Sequence, residues 1–196
     1  MVDRIALETS RLRLRSWHDD DLDALVQLCA DAEVMRYEPA LLTRDECAAM
    51  MVRSRLHLLR HGFGLWALER KDSGAFIGYC GLVWAPSSVP GSAVELRWGV
   101  ACEQWGQGLV LEAARAVLQH AFVTLQLPEV VACLARINEP ARQLVEALGM
   151  RAEQALPFAH PDLAAGHPLH EQLLYRLQRD DWRKEALLLE RCRRNT

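Results

Sequence analysis

The sequence predicts an α/β protein, a mixed sheet of about seven strands covered by helices. Three observations carry this. Short runs rich in Trp, Ile and Val, separated by turn residues, fill positions 63 to 101. Segments with apolar residues three and four apart lie before and after them, which is helical spacing. The two patterns then alternate through the second half, as layered sheet and helix require.

Taken in order, Arg11 to Arg15 (RLRLR) alternates strictly and reads as a half-buried strand. Asp19, Asp20 and Asp21 open DLDALVQLCA, a helix with Leu22, Leu25, Val26 and Cys29 on one face and acids at its positive end. After Pro39, Thr43-Arg44-Asp45-Glu46 has the capping-box pattern, and a second helix is expected from there to about His61. FGLWALER, AFIGYCGLVWA and AVELRWGVA read as three strands in meander order. Trp66, Trp84 and Trp98 fall on them with strand period and are expected in the core.

Leu111, Ala114, Leu118, Phe122 and Leu125 then mark a long amphipathic helix. VVACLAR is a buried strand, and NEPARQLVEALG a helix with Asn138 as N-cap and Gly149 as its stop. MRAEQALPF and HEQLLYRL close the sheet, and QRDDWRKEALLLERCRR is a charged helical tail. The expected organisation is one domain over residues 7–178 with a helical extension over 179–196.

With 196 residues and a net charge of -3, the chain has no basic footprint for nucleic acid. No run approaches a membrane span, and the first residues lack a signal-peptide core, so a soluble cytoplasmic protein without membrane or nucleic-acid partners is expected. Cys29, Cys47, Cys80, Cys102, Cys133 and Cys192 are scattered in apolar segments without a C-x-x-C pair, which favours reduced thiols over a disulfide framework. His160, His167 and His170 with Asp162 match no helical or closed zinc spacing, and no metal is expected.

The stretch CEQWGQGLVLEAA places Gly106 and Gly108 between a strand and a helix. Such a turn aims free N–H groups and the helix dipole at one spot, which suits phosphate. A Walker loop would need a lysine after Gly108, where Leu109 and Val110 stand; a dinucleotide fingerprint would need a third glycine at Leu111. By itself the pair is equally a phosphate cradle or a plain turn.

WGQGLVLEA after the strand AVELRWGVA resembles the acetyl-CoA loop of the GNAT superfamily of N-acetyltransferases, in which Arg or Gln, two residues, Gly, one residue and Gly or Ala lead into a helix. LETSRLRLRSW, GAFIGYCGL, VELRWGV, NEPARQLVEALGM and AGHPLHEQLLYRL extend the resemblance across residues 7 to 182, in the order of the branch that includes ribosomal-protein-alanine acetyltransferases.

The resemblance implies a mostly antiparallel sheet with a V-shaped splay between its fourth and fifth strands and acetyl-CoA as co-substrate. Trp98, Gly99 and Val100 correspond to the bulged backbone that meets the pantetheine. Trp105, Gly106, Gln107, Gly108, Leu109 and Val110 correspond to the pyrophosphate loop. Asn138 corresponds to an asparagine that bonds the pantetheine, besides its reading as a plain N-cap. Glu95 corresponds to a glutamate that accepts the amine proton, directly or through water; its bland alternative is a structural or solvent-facing strand carboxylate. Tyr175 is a candidate for the acceptor pocket, with packing in the sheet the favoured alternative.

Trp105 stands where many members have Arg or Gln, and Val110 where the residue is usually small. Ala141 and Val145 stand where many have Ser and Tyr, the latter a proton donor to departing CoA. A free α-amine, with a pKa of ~7.7 to 8.0, is ~10 to 20% neutral at pH 7, whereas a lysine is neutral only about once in a few thousand. A sparsely equipped site therefore fits an α-amine of a peptide or a small low-pKa amine. The alternative is a CoA-binding sensor of the same fold without catalysis. Such a protein would act on a partner protein, and the helical tail from Arg179 suits packing on its own domain or on a second copy in a homodimer.

Overall fold

The computed structural model describes residues 7–86, 89, 94–153, 158–160 and 162–184. The chain divides into two compact units, Met1–Val83 with Leu96–Val117, and Trp84–Glu95 with Leu118–Thr196.

In the first unit, β1 (Leu7–Glu8) and β2 (Leu12–Arg15) form an antiparallel pair with Leu7 opposite Leu14. Next come α1 (Asp21–Ala30), α2 (Arg44–His61), β3 (Leu65–Arg70), β4 (Phe76–Trp84) and β5 (Val94–Val100), of which Trp84, Val94 and Glu95 count with the second unit. The ladders β2 with β3 and β3 with β4 are antiparallel, and β5 follows β4 in the order of strands. A register shift between Leu68 and Glu69 leaves Ile77 out of the β3 ladder, and its carbonyl accepts from Ala101 N at 3.0 Å. Gly78 has φ +146°, and a Cβ there would meet the Gly99 carbonyl oxygen at 2.1 Å, so only glycine permits this approach of β4 to β5.

The capping box of α2 forms as its sequence requires: Thr43 Oγ1 accepts from Glu46 N, and the Glu46 carboxylate accepts from Thr43 N at 2.7 Å. Gly62, at φ +74°, ends the helix. Leu25, Cys29, Cys47 and Met51 pack with Trp17, Ala67 and Tyr79 as the core between these helices and the sheet. The acids of α1 do more than face a helix dipole, because Asp21 is buried and bonds Arg15 of β2 through both carboxylate oxygens, at 2.7 and 2.8 Å. A 3-10 turn (Cys102–Gln104) leads to α3 (Leu109–Gln119), which runs on as a π-helical turn (His120–Thr124).

The second unit contains β6 (Glu129–Ala135), α4 (Glu139–Ala147), β7 (Arg151–Ala152), β8 (Phe158–Ala159) and β9 (Glu171–Gln178). Antiparallel ladders join β6, β7 and β8 to β9, whereas Glu95 of β5 is registered in parallel with Val131 of β6. Nine strands are thus described where about seven are expected. The surplus comes from the two-residue β1 and from the division of MRAEQALPF into β7 and β8, with residues 154–157 outside the description. Of the expected tail helix, residues 179–184 are helical and the remainder, with Cys192, lies outside the described residues. No described helix is long and apolar enough to cross a membrane.

Trp66 is fully buried, but Trp84 at the end of β4 is 49% exposed, so strand period alone misplaces it. Cys29, Cys47, Cys80, Cys102 and Cys133 are free thiols. Burial pushes the Cys29 and Cys80 thiols up to about 12, which leaves them protonated and inert at neutral pH.

Candidate functional site

The turn between β5 and α3 is held from three sides. Trp105 donates its indole N–H to the Val100 carbonyl at 2.8 Å, so the residue that departs from the usual Arg or Gln closes the loop on the strand before it. Gln107 donates from Nε2 to the Glu103 carbonyl at 2.9 Å, and its Oε1 accepts from Arg70 Nη1 at 3.2 Å. Arg11, at the edge of β2, donates from Nη1 to the Gln107 carbonyl at 3.0 Å.

Arg11 also clasps Glu112 in the first turn of α3: its backbone N–H and its Nε reach the two carboxylate oxygens at 2.9 and 2.7 Å, and Ser10 Oγ adds 3.0 Å. Burial would raise the Glu112 carboxyl. Hydrogen bonds from Thr9, Arg11 and Ser10 outweigh it and hold the group down at about 2. Carboxylate and guanidinium thus fasten the start of α3 to β2 throughout the neutral range.

Gly106 and Gly108 both have φ +72°, a left-handed backbone separated by one residue. Successive turns of this kind point N–H groups into a common concavity. The Gly108 carbonyl accepts the first helical bond, from Glu112 N at 3.1 Å, so the N–H groups of Leu109, Val110 and Leu111 have no intrahelical acceptor. A Cβ on Gly106 would meet nothing within 4 Å, and one on Gly108 only Arg11 Nη2 at 3.8 Å. Free room, oriented N–H donors and an adjacent guanidinium suit a pyrophosphate. Leu109 turns its side chain into the core while Val110 is half-buried.

On β5, Trp98 and Gly99 are half-buried and Val100 is buried. Gly99 lies beneath Tyr79: a Cβ there would meet the ring at 2.7 Å and the hydroxyl oxygen at 2.8 Å. Glu95 is 7% exposed, which removes the solvent-facing reading of its carboxylate and leaves a buried acid on the strand. In register with Val131, it points to the same face of the sheet as Val131 and Arg176.

Tyr175 points to the opposite face. Its hydroxyl donates to Glu146 Oε1 at 2.8 Å and accepts from Arg142 Nε at 3.3 Å, both on α4, and the residue is 2% exposed. Asn138 caps α4 through Oδ1, which accepts from Ala141 N at 3.1 Å, and this bond leaves the Nδ2 donors for another partner. Ala141 and Val145 are buried on α4.

The three histidines of the late loop are occupied locally. His160 Nδ1 accepts from Asp162 N, His167 Nδ1 accepts from Leu169 N, and His170 Nδ1 lies 2.8 Å from the Leu163 carbonyl. Among the described residues, no three metal-ligating side chains gather. Arg11, Arg70, Glu112 and Tyr79 are missing from the sequence-derived site. Arg11 and Glu112 stand 101 positions apart, and no local pattern links them.

The sequence matches the family model described as Acetyltransferase (GNAT) domain over residues 11–151. It is 30% identical to "Uncharacterized protein YkkB" of Bacillus subtilis over 152 residues, 76% of this chain and 87% of that one. It is 28% identical to "Uncharacterized N-acetyltransferase YoaA" of the same organism, covering 76% of this chain and 85% of the relative. Among solved structures, spermidine N-acetyltransferase from Vibrio cholerae in complex with CoA and spermine superposes with a TM-score of 0.70 at 19% identity, over 89% of this chain and 99% of that one.

Proposed function

The chain belongs to the GNAT acetyltransferase family, whose members move acetyl from acetyl-CoA to amines, and we propose that its own acceptor is the α-amine of a peptide or a small amine of similarly low pKa. The observation that carries the CoA half of this reading is the pair of left-handed glycines, Gly106 and Gly108, at the open start of α3. Backbone N–H groups of residues 105–110 take the pyrophosphate, with Arg11 holding the Gln107 carbonyl turned away from it. The backbone of Trp98, Gly99 and Val100 lines the pantetheine and polarises the thioester carbonyl. Asn138 serves its helix through Oδ1 and keeps Nδ2 to donate to pantetheine.

Attack is direct: the amine nitrogen bonds to the acetyl carbon as the bond from carbon to sulfur breaks. Glu95 accepts the proton that the nitrogen releases. Four residues of extended strand, roughly 13 Å, separate it from Gly99, so that proton travels through water. Tyr175 fastens α4 to β9 through Glu146 and Arg142. A second reading, a CoA-binding sensor without turnover, is favoured by Ala141 and Val145, which offer α4 no proton donor.

A mass-resolved screen tests the acceptor. Peptides beginning with Ser or Ala, and small amines, are expected to be acetylated at pH 7 to 8, while an N-terminally blocked peptide carrying only lysine is not. Equal modification of the blocked peptide would remove the α-amine reading, and CoA binding without thiol release across the panel would favour the sensor. Glu95→Gln is expected to lower kcat by about 10²-fold, the low end for a general base, because the acceptor is already partly neutral. An unchanged kcat would make Glu95 a structural carboxylate.

A further inference from the structure

Tyr79 of β4 is buried in the core beneath α1 and α2 at 8% exposure, yet among the described residues its hydroxyl makes no hydrogen bond. Its oxygen is not among the fully enclosed side-chain atoms that lack a partner, so it keeps contact with open space, where a bound group can meet it. The Tyr79 ring packs at a tilt against Trp17, with centroids 6.5 Å apart, which fixes the direction of its hydroxyl. That hydroxyl lies over Gly99, at 2.8 Å from where a Cβ would stand.

Resting on the acetyltransferase reading, in which the Gly99 backbone faces the thioester, we infer that Tyr79 is a catalytic residue whose hydroxyl donates a hydrogen bond to the sulfur of CoA as it leaves. The nitrogen bonds to the acetyl carbon, and the sulfur departs with the bonding pair. The proton from nitrogen passes to Glu95 and on to water, and the thiolate collects one from water. Tyr79 holds the negative charge in between and keeps its own proton. Burial, and after it the Glu38 carboxylate, push the phenol above its ordinary range against the opposing pull of Arg97, with Cys29 and Cys47 adding smaller upward effects. The donor is therefore protonated across the whole working pH range.

Gly99 has a matching role. Any side chain there would displace the hydroxyl, so Gly99→Ala and Tyr79→Phe are expected to share one phenotype. The measurement is the thiol pKa of bound CoA, followed by thiolate absorbance in wild type and Tyr79→Phe. A hydrogen bond to a charged group should hold the bound thiol about one unit lower in wild type. With acetyl-CoA and an accepted amine, Tyr79→Phe should lose about 10²-fold in kcat, with the KM for acetyl-CoA within about threefold and no loss in Tm. A purely structural tyrosine would show the reverse, a lower Tm with an unmoved thiol. Equal thiol pKa values in the two proteins overturn the inference whether or not turnover is seen. Absence of thiol release from wild type with every amine would instead overturn the acetyl-transfer reading, so the two failures are told apart.

Discussion

Replacing Gly108 by valine is expected to raise the dissociation constant for CoA roughly 10³-fold while the protein remains folded. The residue sits at φ +72°, where a β-branched side chain is strained by about 1 to 3 kcal/mol. The loop can relieve that strain only by turning its peptide units, and those units carry the N–H groups that meet the pyrophosphate. Each hydrogen bond to a charged oxygen is worth about 1.5 to 3 kcal/mol, so two misdirected donors account for the loss. The fold survives because the clasp of Arg11 on Glu112 holds α3 independently of the glycine. Gly106→Ala gives a graded control: the same φ strains an alanine by about 1 to 2 kcal/mol, its Cβ enters open space, and affinity should fall only about tenfold. Calorimetric titration of CoA into the three proteins decides the matter. Wild-type affinity in Gly108→Val would mean that the pyrophosphate lies elsewhere.

Features encoded within four residues were legible in the sequence. The Thr43 and Glu46 box and the Asn138 cap form as expected because both partners of each bond lie on one turn of chain. Gly106 and Gly108 were legible as a turn for the same reason, and the order of segments around them made the turn a candidate cofactor site. The clasp of Arg11 on Glu112 was not, because strand alternation says only that Arg11 lies on a face and nothing about which helix, 101 positions on, will meet it. Tyr79 was hidden by its surroundings: FIGYCGLVW reads as uniformly apolar, and only its position over Gly99 exposes the unused hydroxyl. From sequence alone, the acids at the start of α1 speak only for the helix dipole, a weak and general effect. Asp21 in fact meets a buried guanidinium, which is a stronger and specific one.

Asp21→Ala should cost about 3 to 5 kcal/mol of stability, the range for removing one partner of a buried ion pair. Arg15 is enclosed, and its guanidinium is divided between two carboxylates: Nη1 and Nη2 take Asp21 at 2.7 and 2.8 Å, and Nε takes Glu69 at 2.6 Å. Asp21 also accepts from His18 N at 2.7 Å, so its loss leaves Nη2 and a backbone N–H without their oxygens and Nη1 with only the Ser16 carbonyl, at 3.1 Å. At ~2 to 4 °C per kcal/mol for a chain of this size, the melting temperature should fall by about 6 to 20 °C. Burial opposes ionisation of Asp21, but the guanidinium and the His18 N–H win, and its carboxyl lies below the ordinary carboxylate value. A group depressed in the folded state stabilises above its unfolded pKa of ~3.9 and loses that contribution as pH falls through the folded value. The gap between wild type and Asp21→Ala should therefore be constant from pH 5 to 8 and shrink below pH ~4. The double change Arg15→Met with Asp21→Leu separates the pair from its parts. It removes both charges and fills their space, and Glu69 keeps Arg13 at 2.8 Å, so most of the lost stability should return. If the double variant is as unstable as the single one, the segment entering α1 depends on the ion pair for its conformation and not only on avoiding a buried, unmatched charge.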